Sequence, residues 1–199
     1  MKTLLHVGCG FNKKDATTKG FKGEQWRELR FDIDESVNPD IIGSMTDMSG
    51  VDSESIDAIF SSHNIEHLYP HEVPIALKEF MRVLSHDGFL VITCPDLKST
   101  AKLVAADKLT EAAYESPAGP IAPLDILYGY RKSMALGNLY MAHRCGFTKK
   151  VLHNTLISAG FGSVATSANE DYFELWSLAS KREIADADLK KLFQGYTVR

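Results

Sequence analysis

Over residues 3–96 apolar runs of strand length alternate with polar or amphipathic crossovers. The run LLHV at 4–7 meets two glycines, Gly8 and Gly10, and reads as a buried strand over 3–8 that ends in a turn without bulky side chains. ELRFDID at 28–34 is a second strand. The pair Ile41-Ile42 with the loop Ser44-Met45-Thr46-Asp47-Met48 fits a short third one. In SIDAIFSSH at 55–63, Ile56, Ala58 and Phe60 alternate with Asp57 and Ile59, as in a fourth strand with a small, polar end. HEVPIALKEFMRVLSHDG at 71–88 has Ile75, Leu77, Phe80, Met81 and Leu84 at helical spacing, and Gly88 is the expected stop. FLVITCPD at 89–96 is a near-continuous apolar strand, buried on both faces if parallel, and ended by Pro95. The stretch FNKKDATTKGFKGEQW between the first two strands lacks helical periodicity, which predicts a short or irregular first crossover.

Residues 97–146 break this rhythm. A helix is expected around 97–114, followed by the Pro/Gly-rich SPAGPIAP and by a tyrosine- and glycine-bearing segment with no clean amphipathic period. The region reads as an insert that covers a site and shapes a second pocket. TKKVLHNTLISAG at 148–160 is a helix capped by Thr148 and stopped by Gly160, with Val151, Leu152, Leu156 and Ile157 facing inward. The two alternating runs over 161–181 form an antiparallel pair, and 182–199 reads as a short helix with a loose tail. The predicted fold is α/β: a Rossmann-like open, mostly parallel sheet in one domain over 1–181, with a C-terminal antiparallel hairpin and the insert before the last helix of that domain.

Composition narrows the function classes. The chain has 199 residues, 44% hydrophobic and 24% charged, with net charge −4. No Lys/Arg run marks a nucleic-acid groove, so no nucleic acid is expected as partner. Cys9, Cys94 and Cys145 are odd in number, widely spaced and free of any CxxC pattern, which fits a reducing, cytoplasmic setting without disulfides. Met1-Lys2-Thr3 runs straight into the first strand, so no signal peptide is expected. No apolar stretch is long enough to span a bilayer.

The chemistry gathers at the strand ends. Gly8 and Gly10 let a ligand sit against the backbone, and an acid roughly 20 residues later at the end of the second strand is where a nucleoside ribose is held. Asp32, with Phe31 behind it, is the better ribose acid and Asp34 the second candidate. The missing helix after Gly10 argues against a pyrophosphate cofactor such as NAD, whose phosphates favour a helix N-terminus at that point. The pattern His63-Asn64-Ile65-Glu66-His67 is literally H-x-x-E-H, so a zinc hydrolase through His63, Glu66 and His67 is a rival reading. Against it, His63 follows a strand ending in Ser61-Ser62 and stands outside a regular helix turn.

Four segments in order, LLHVGCG, RFDID, SIDAIFSSHNIEHL and ALKEFMRVLSHDGFLVITCPD, resemble the class I S-adenosylmethionine-dependent methyltransferases, and the last two resemble their type-11-like small-molecule group. The resemblance covers about residues 3–96 closely, and 148–181 in order only. It departs at Phe11-Asn12-Lys13, where the family has a third small residue. It implies S-adenosylmethionine as cofactor, a small-molecule methyl acceptor, no metal, and cofactor contacts from Gly8, Cys9, Gly10, Asp32, Ile33, Asp34, Ser62 and His63. Asp47 matches the position that holds the adenine amino group, with Met45, Thr46 and Met48 beside the ring. For the acceptor side the residues offer His143 as a base, with Asp96 and Tyr128 as further catalytic candidates. An S-adenosylmethionine-binding module without catalysis is the alternative. The apolar insert suits a homodimer interface as well as a lid.

Overall fold

Strand-forming segments alternate their side chains between two faces, and both faces here are apolar, so the sheet must be covered on both sides. The structure, a computed structural model, describes residues 1–198. Its elements run β1 (Lys2–Val7), β2 (Trp26–Asp32), β3 (Ile41–Ile42), β4 (Ile56–Ser62), α1 (Val73–Val83), β5 (Leu84–Pro95), α2 (Leu97–Ala105), β6 (Tyr114–Ser116), β7 (Gly119–Ile121), α3 (Pro123–Tyr128), α4 (Arg131–Ala135), α5 (Lys149–Ser158), β8 (Ser163–Asn169), β9 (Glu174–Ser180) and α6 (Asp186–Tyr196). The main sheet has seven strands in the order β3-β2-β1-β4-β5-β9-β8. Only β9 runs against the rest, antiparallel to both β5 and β8. The order reverses between β1 and β4, the switch point where an open α/β sheet leaves a crevice at its carboxyl edge. Among the described residues no helix is long and apolar enough to cross a membrane.

One face packs Leu5, Val7, Ile59, Leu90 and Ile92 against Leu77 and Phe80 of α1 and Leu152 and Leu156 of α5. The helical stripe of α1 is Val73, Ala76, Leu77, Phe80 and Val83, while Ile75 lies off it and is 48% exposed. Val151 and Ile157 likewise stand on the outer side of α5, not in the core. Gly88 does not end α1. The helix stops at Val83, because Leu84 pairs with Ile56 as the first residue of β5, and the ladder resumes only at Phe89 opposite Ala58, leaving Ser85–Gly88 as an irregularity inside the strand.

The other face carries Leu4, Phe21, Trp26, Phe60, Phe89, Val91, Trp176 and Leu178. The first crossover supplies only short 3₁₀ turns at Lys14–Ala16 and Lys19–Phe21, as its missing periodicity predicts. The cover comes from the C-terminus: Leu189, Leu192, Phe193 and Tyr196 of α6 pack on this cluster, so the short helix expected within 182–199 closes the core. The Tyr196 ring lies 4.9 Å from Phe21, 5.9 Å from Trp26 and 4.8 Å from Phe89. Tyr196→Ala is expected to lower stability by about 2–3 kcal/mol, the cost of removing a well-packed aromatic ring. Urea denaturation checks this, and an unchanged midpoint would contradict it.

Candidate functional site

The carboxyl ends of β1, β2 and β4 converge on one cavity of about 380 Å³, bordered by Gly8, Gly10, Asp32, Ile33, Asp34, Ser62 and His63. Gly8 has φ +61°, and a Cβ there would lie 2.0 Å from Asn64 Oδ1. Asn64 is itself fixed, since its Nδ2 donates to the carbonyls of Val7 and Ser62, each at 3.0 Å. Gly10 has φ +52°, and its missing side chain faces open space. Its N–H donates to Asp32 Oδ2 at 2.8 Å, and Asp34 N–H donates to Asp32 Oδ1 at 2.9 Å. A carboxylate offers about four lone-pair positions, so Asp32 can hold the glycine turn and still accept from ligand hydroxyls. Arg30 supplies the rigidity that the absent helix would have given. Its guanidinium donates to the carbonyls of Gly10, Asn12, Val37 and Asn38, tying the glycine turn to the loop after β2.

Several expected contacts fall elsewhere. Asp34 borders the cavity, but one carboxylate oxygen caps the 3₁₀ turn at Glu35–Val37 by accepting from Ser36 N–H, and hydrogen bonding from the Ser36 side chain and backbone lowers its pKa. Asp47 is exposed, lies off the cavity wall and accepts from Ser49 N–H. Met48 is fully buried in the core: its N–H donates to Glu79 and its carbonyl accepts from Arg82, which pulls this loop onto α1. Met45, two residues before Asp47, borders the cavity instead. The Cys9 side chain turns into the core, and burial pushes its thiol up to about 11.

A second, smaller cavity of about 170 Å³ adjoins the first, and His63 and His67 border both. His63 directly follows β4 with φ +56°, a left-handed conformation that non-glycine residues rarely adopt. Its Nδ1 lies 3.3 Å from Glu66 Oε1 and its Nε2 3.7 Å from Glu174 Oε2. Burial opposes the imidazolium, but the facing carboxylates of Glu174 and Glu66 outweigh it and raise the His63 pKa to about 9. His143 borders the second cavity, and its Nδ1 pairs with the Ile126 carbonyl at 2.8 Å. Burial holds its pKa below the ordinary imidazole value.

Asp96 and Tyr128 do not join His143. Asp96 is buried and caps α2, accepting from Lys98 N–H and the Ser99 hydroxyl. Tyr128 is 62% exposed and borders neither cavity. The tyrosines of the second cavity are Tyr114, Tyr130 and Tyr172. Residues 97–146 line both spaces: Asn138, Tyr140 and Arg144 border the first, Ile121, Asp125, Ile126 and Tyr130 the second, and Met141 both. Sequence reasoning passed over Arg30 and Asn64. Their signal is an arginine beside the buried end of a strand and an amide just after another, both placed to satisfy loop carbonyls.

A seven-stranded sheet with only one reversed strand, a glycine turn after β1 and an acid ending β2 around the switch-point cavity define a Rossmann-like class I methyltransferase fold. The methyltransferase-domain family model matches residues 5–92, a little under half of the chain. The chain is an S-adenosylmethionine-dependent methyltransferase. No curated protein sequence matches it. Among solved structures it is similar to a 1,6-didemethyltoxoflavin N1-methyltransferase of Burkholderia thailandensis, solved with 1,6-didemethyltoxoflavin and S-adenosylhomocysteine, at 15% identity over 91% of this chain and 71% of that one, TM-score 0.57. It is also similar to a SAM-dependent methyltransferase of Methanosarcina mazei, at 15% identity over 92% and 93%, TM-score 0.59. A third, from Archaeoglobus fulgidus, shares 14% identity over 90% and 86%, TM-score 0.57. At these identities the likeness is one of fold.

Proposed function

We propose that this methyltransferase acts on a small molecule held in the second cavity. The observation that carries the reading is the shared wall, in which His63 and His67 border both the switch-point cavity and the smaller one. When bound, S-adenosylmethionine supplies a methyl group already activated by a sulfonium. The residues that would hold it are Gly8 and Gly10 along the backbone, Asp32 at the ribose, Met45 beside the base, and Ser62 and His63 at the methionine end. One imidazolium between two carboxylates leaves the His63–Glu66–Glu174 group net negative, a setting suited to a cationic ligand.

The chain's task in such a displacement is to position the acceptor and exclude water. Tyr140, Met141 and Arg144 cover the first cavity. Arg144 donates to the His67 carbonyl, which ties that cover to the shared wall. His143 faces the acceptor space with its Nε2 lone pair, because Nδ1 must be the protonated nitrogen against the Ile126 carbonyl.

Arg30→Met is expected to weaken S-adenosylhomocysteine binding about tenfold, the loss of roughly 1.5 kcal/mol from a charged clamp on the glycine turn. Isothermal calorimetry reads this directly, and unchanged affinity would show that the clamp is dispensable. The acceptor class is tested by incubating the protein with methyl-labelled S-adenosylmethionine and a cell extract, then separating label by size. The reading expects label in the low-mass fraction. Label confined to protein or RNA would overturn it.

A further inference from the structure

We propose that Glu66, His67 and His143 form a binding site for one divalent transition-metal ion on the wall of the second cavity. One ligand atom from each of the three lies within 4.8 Å of the others, a spacing that contracts modestly when all bind one ion at about 2.0–2.2 Å. Both imidazoles are already in the tautomer that a metal requires. His67 Nδ1 lies 3.1 Å from the Ala142 carbonyl and His143 Nδ1 2.8 Å from the Ile126 carbonyl. A carbonyl only accepts, so each Nδ1 carries the hydrogen, and in the neutral ring each Nε2 keeps a bare lone pair. This is the backbone support that orients metal-bound histidines.

Glu66 supplies an independent observation. It is 0% exposed, and neither carboxylate oxygen accepts a hydrogen bond among the described residues. His63 Nδ1, at 3.3 Å from Oε1, meets part of the charge without the alignment of a hydrogen bond. Fully buried carboxylates are ordinarily hydrogen-bonded or ligate a metal, and this one is clustered with the His67 and His143 rings. Two histidines and one carboxylate suit zinc and its first-row neighbours and leave further coordination positions for exchangeable ligands. His67 and His143 border the second cavity, so those positions open into it, and an acceptor oxygen or nitrogen there could complete the shell. That last role rests on the small-molecule reading above; metal binding itself does not. The H-x-x-E-H pattern is thus used differently from a zinc-hydrolase helix: Glu66 and His67 sit on a 3₁₀ turn, and the third ligand is His143, not His63.

The test uses untagged full-length protein stripped with chelator and titrated with zinc(II) in the absence of cofactor. About one equivalent is expected to bind, and Glu66→Gln and His143→Ala are each expected to weaken it about a hundredfold or more, since even supporting residues of metal sites are worth tenfold or more. Circular dichroism and urea denaturation establish that the variants are folded. Cobalt(II) added to the unmodified protein reports on the donors without any mutation: d–d bands without thiolate charge transfer are expected. Absence of zinc binding, binding that survives both substitutions, or a cobalt–thiolate band that assigns the ion to a cysteine such as Cys145 would overturn the site. S-adenosylhomocysteine binding is measured separately with and without chelator, so a failure of the cofactor site would not be mistaken for a failure of the metal site.

Discussion

Gly8→Ala is expected to destabilise the protein by about 2–4 kcal/mol and to abolish cofactor binding. Two independent costs combine. At φ +61° an alanine carries a left-handed penalty of about 1–2 kcal/mol. Its Cβ would also meet Asn64 Oδ1 at 2.0 Å, and Asn64 cannot swing away without releasing the Val7 and Ser62 carbonyls that it holds at the ends of β1 and β4. Relief by either route displaces the turn that forms the cavity wall, so stability and binding fall together. Urea denaturation and calorimetry measure the two effects. A variant with native midpoint and affinity would show that the turn is not the cradle described.

Asp32→Ala is the second large effect. It removes the acceptor of Gly10 N–H and Asp34 N–H, and with it the free lone pairs that face the cavity. Two charge-assisted ligand bonds at about 1.5 kcal/mol each correspond to a loss of roughly a hundredfold in affinity for S-adenosylhomocysteine, with the loosened glycine turn adding to it. Asp32→Asn keeps one carbonyl acceptor and the shape, so its loss is expected nearer tenfold. Wild-type affinity in the alanine variant would move the ribose to another residue, with Asp34 the next to substitute.

The central strands β1, β4 and β5 were legible because strands buried on both faces are largely apolar, and a polar first crossover has no way to hide a helix. The end of α1 was not. Gly88 looks like a stop from its position after an amphipathic run, yet Leu84 is drawn into the ladder opposite Ile56, and the glycine is left inside β5. The role of α6 was hidden for a related reason. Its apolar positions are visible in sequence, but the face they cover is bare only because the first crossover is short, and that follows from the assembled sheet.

At the site, strand-end residues such as Gly8, Gly10, Asp32, Ser62 and His63 could be placed because their strands could be placed. Loop residues could not. Asp47 and Met48 are positioned by Glu79 and Arg82 from the next helix, which turns Met48 into the core and Asp47 to solvent. The approach of His143 to Glu66 and His67 depends on the path of the insert, which carries no periodicity to read.

If the switch-point cavity holds the methyl donor and the smaller cavity the acceptor, His63 and His67 stand between the two. A crystal structure with S-adenosylhomocysteine tests this arrangement most directly. Ribose hydroxyls are expected within about 3 Å of the Asp32 carboxylate and the thioether sulfur beside Ser62 and His63, turned toward the smaller cavity. A ligand whose ribose avoids Asp32, or whose sulfur faces away from that cavity, would contradict it.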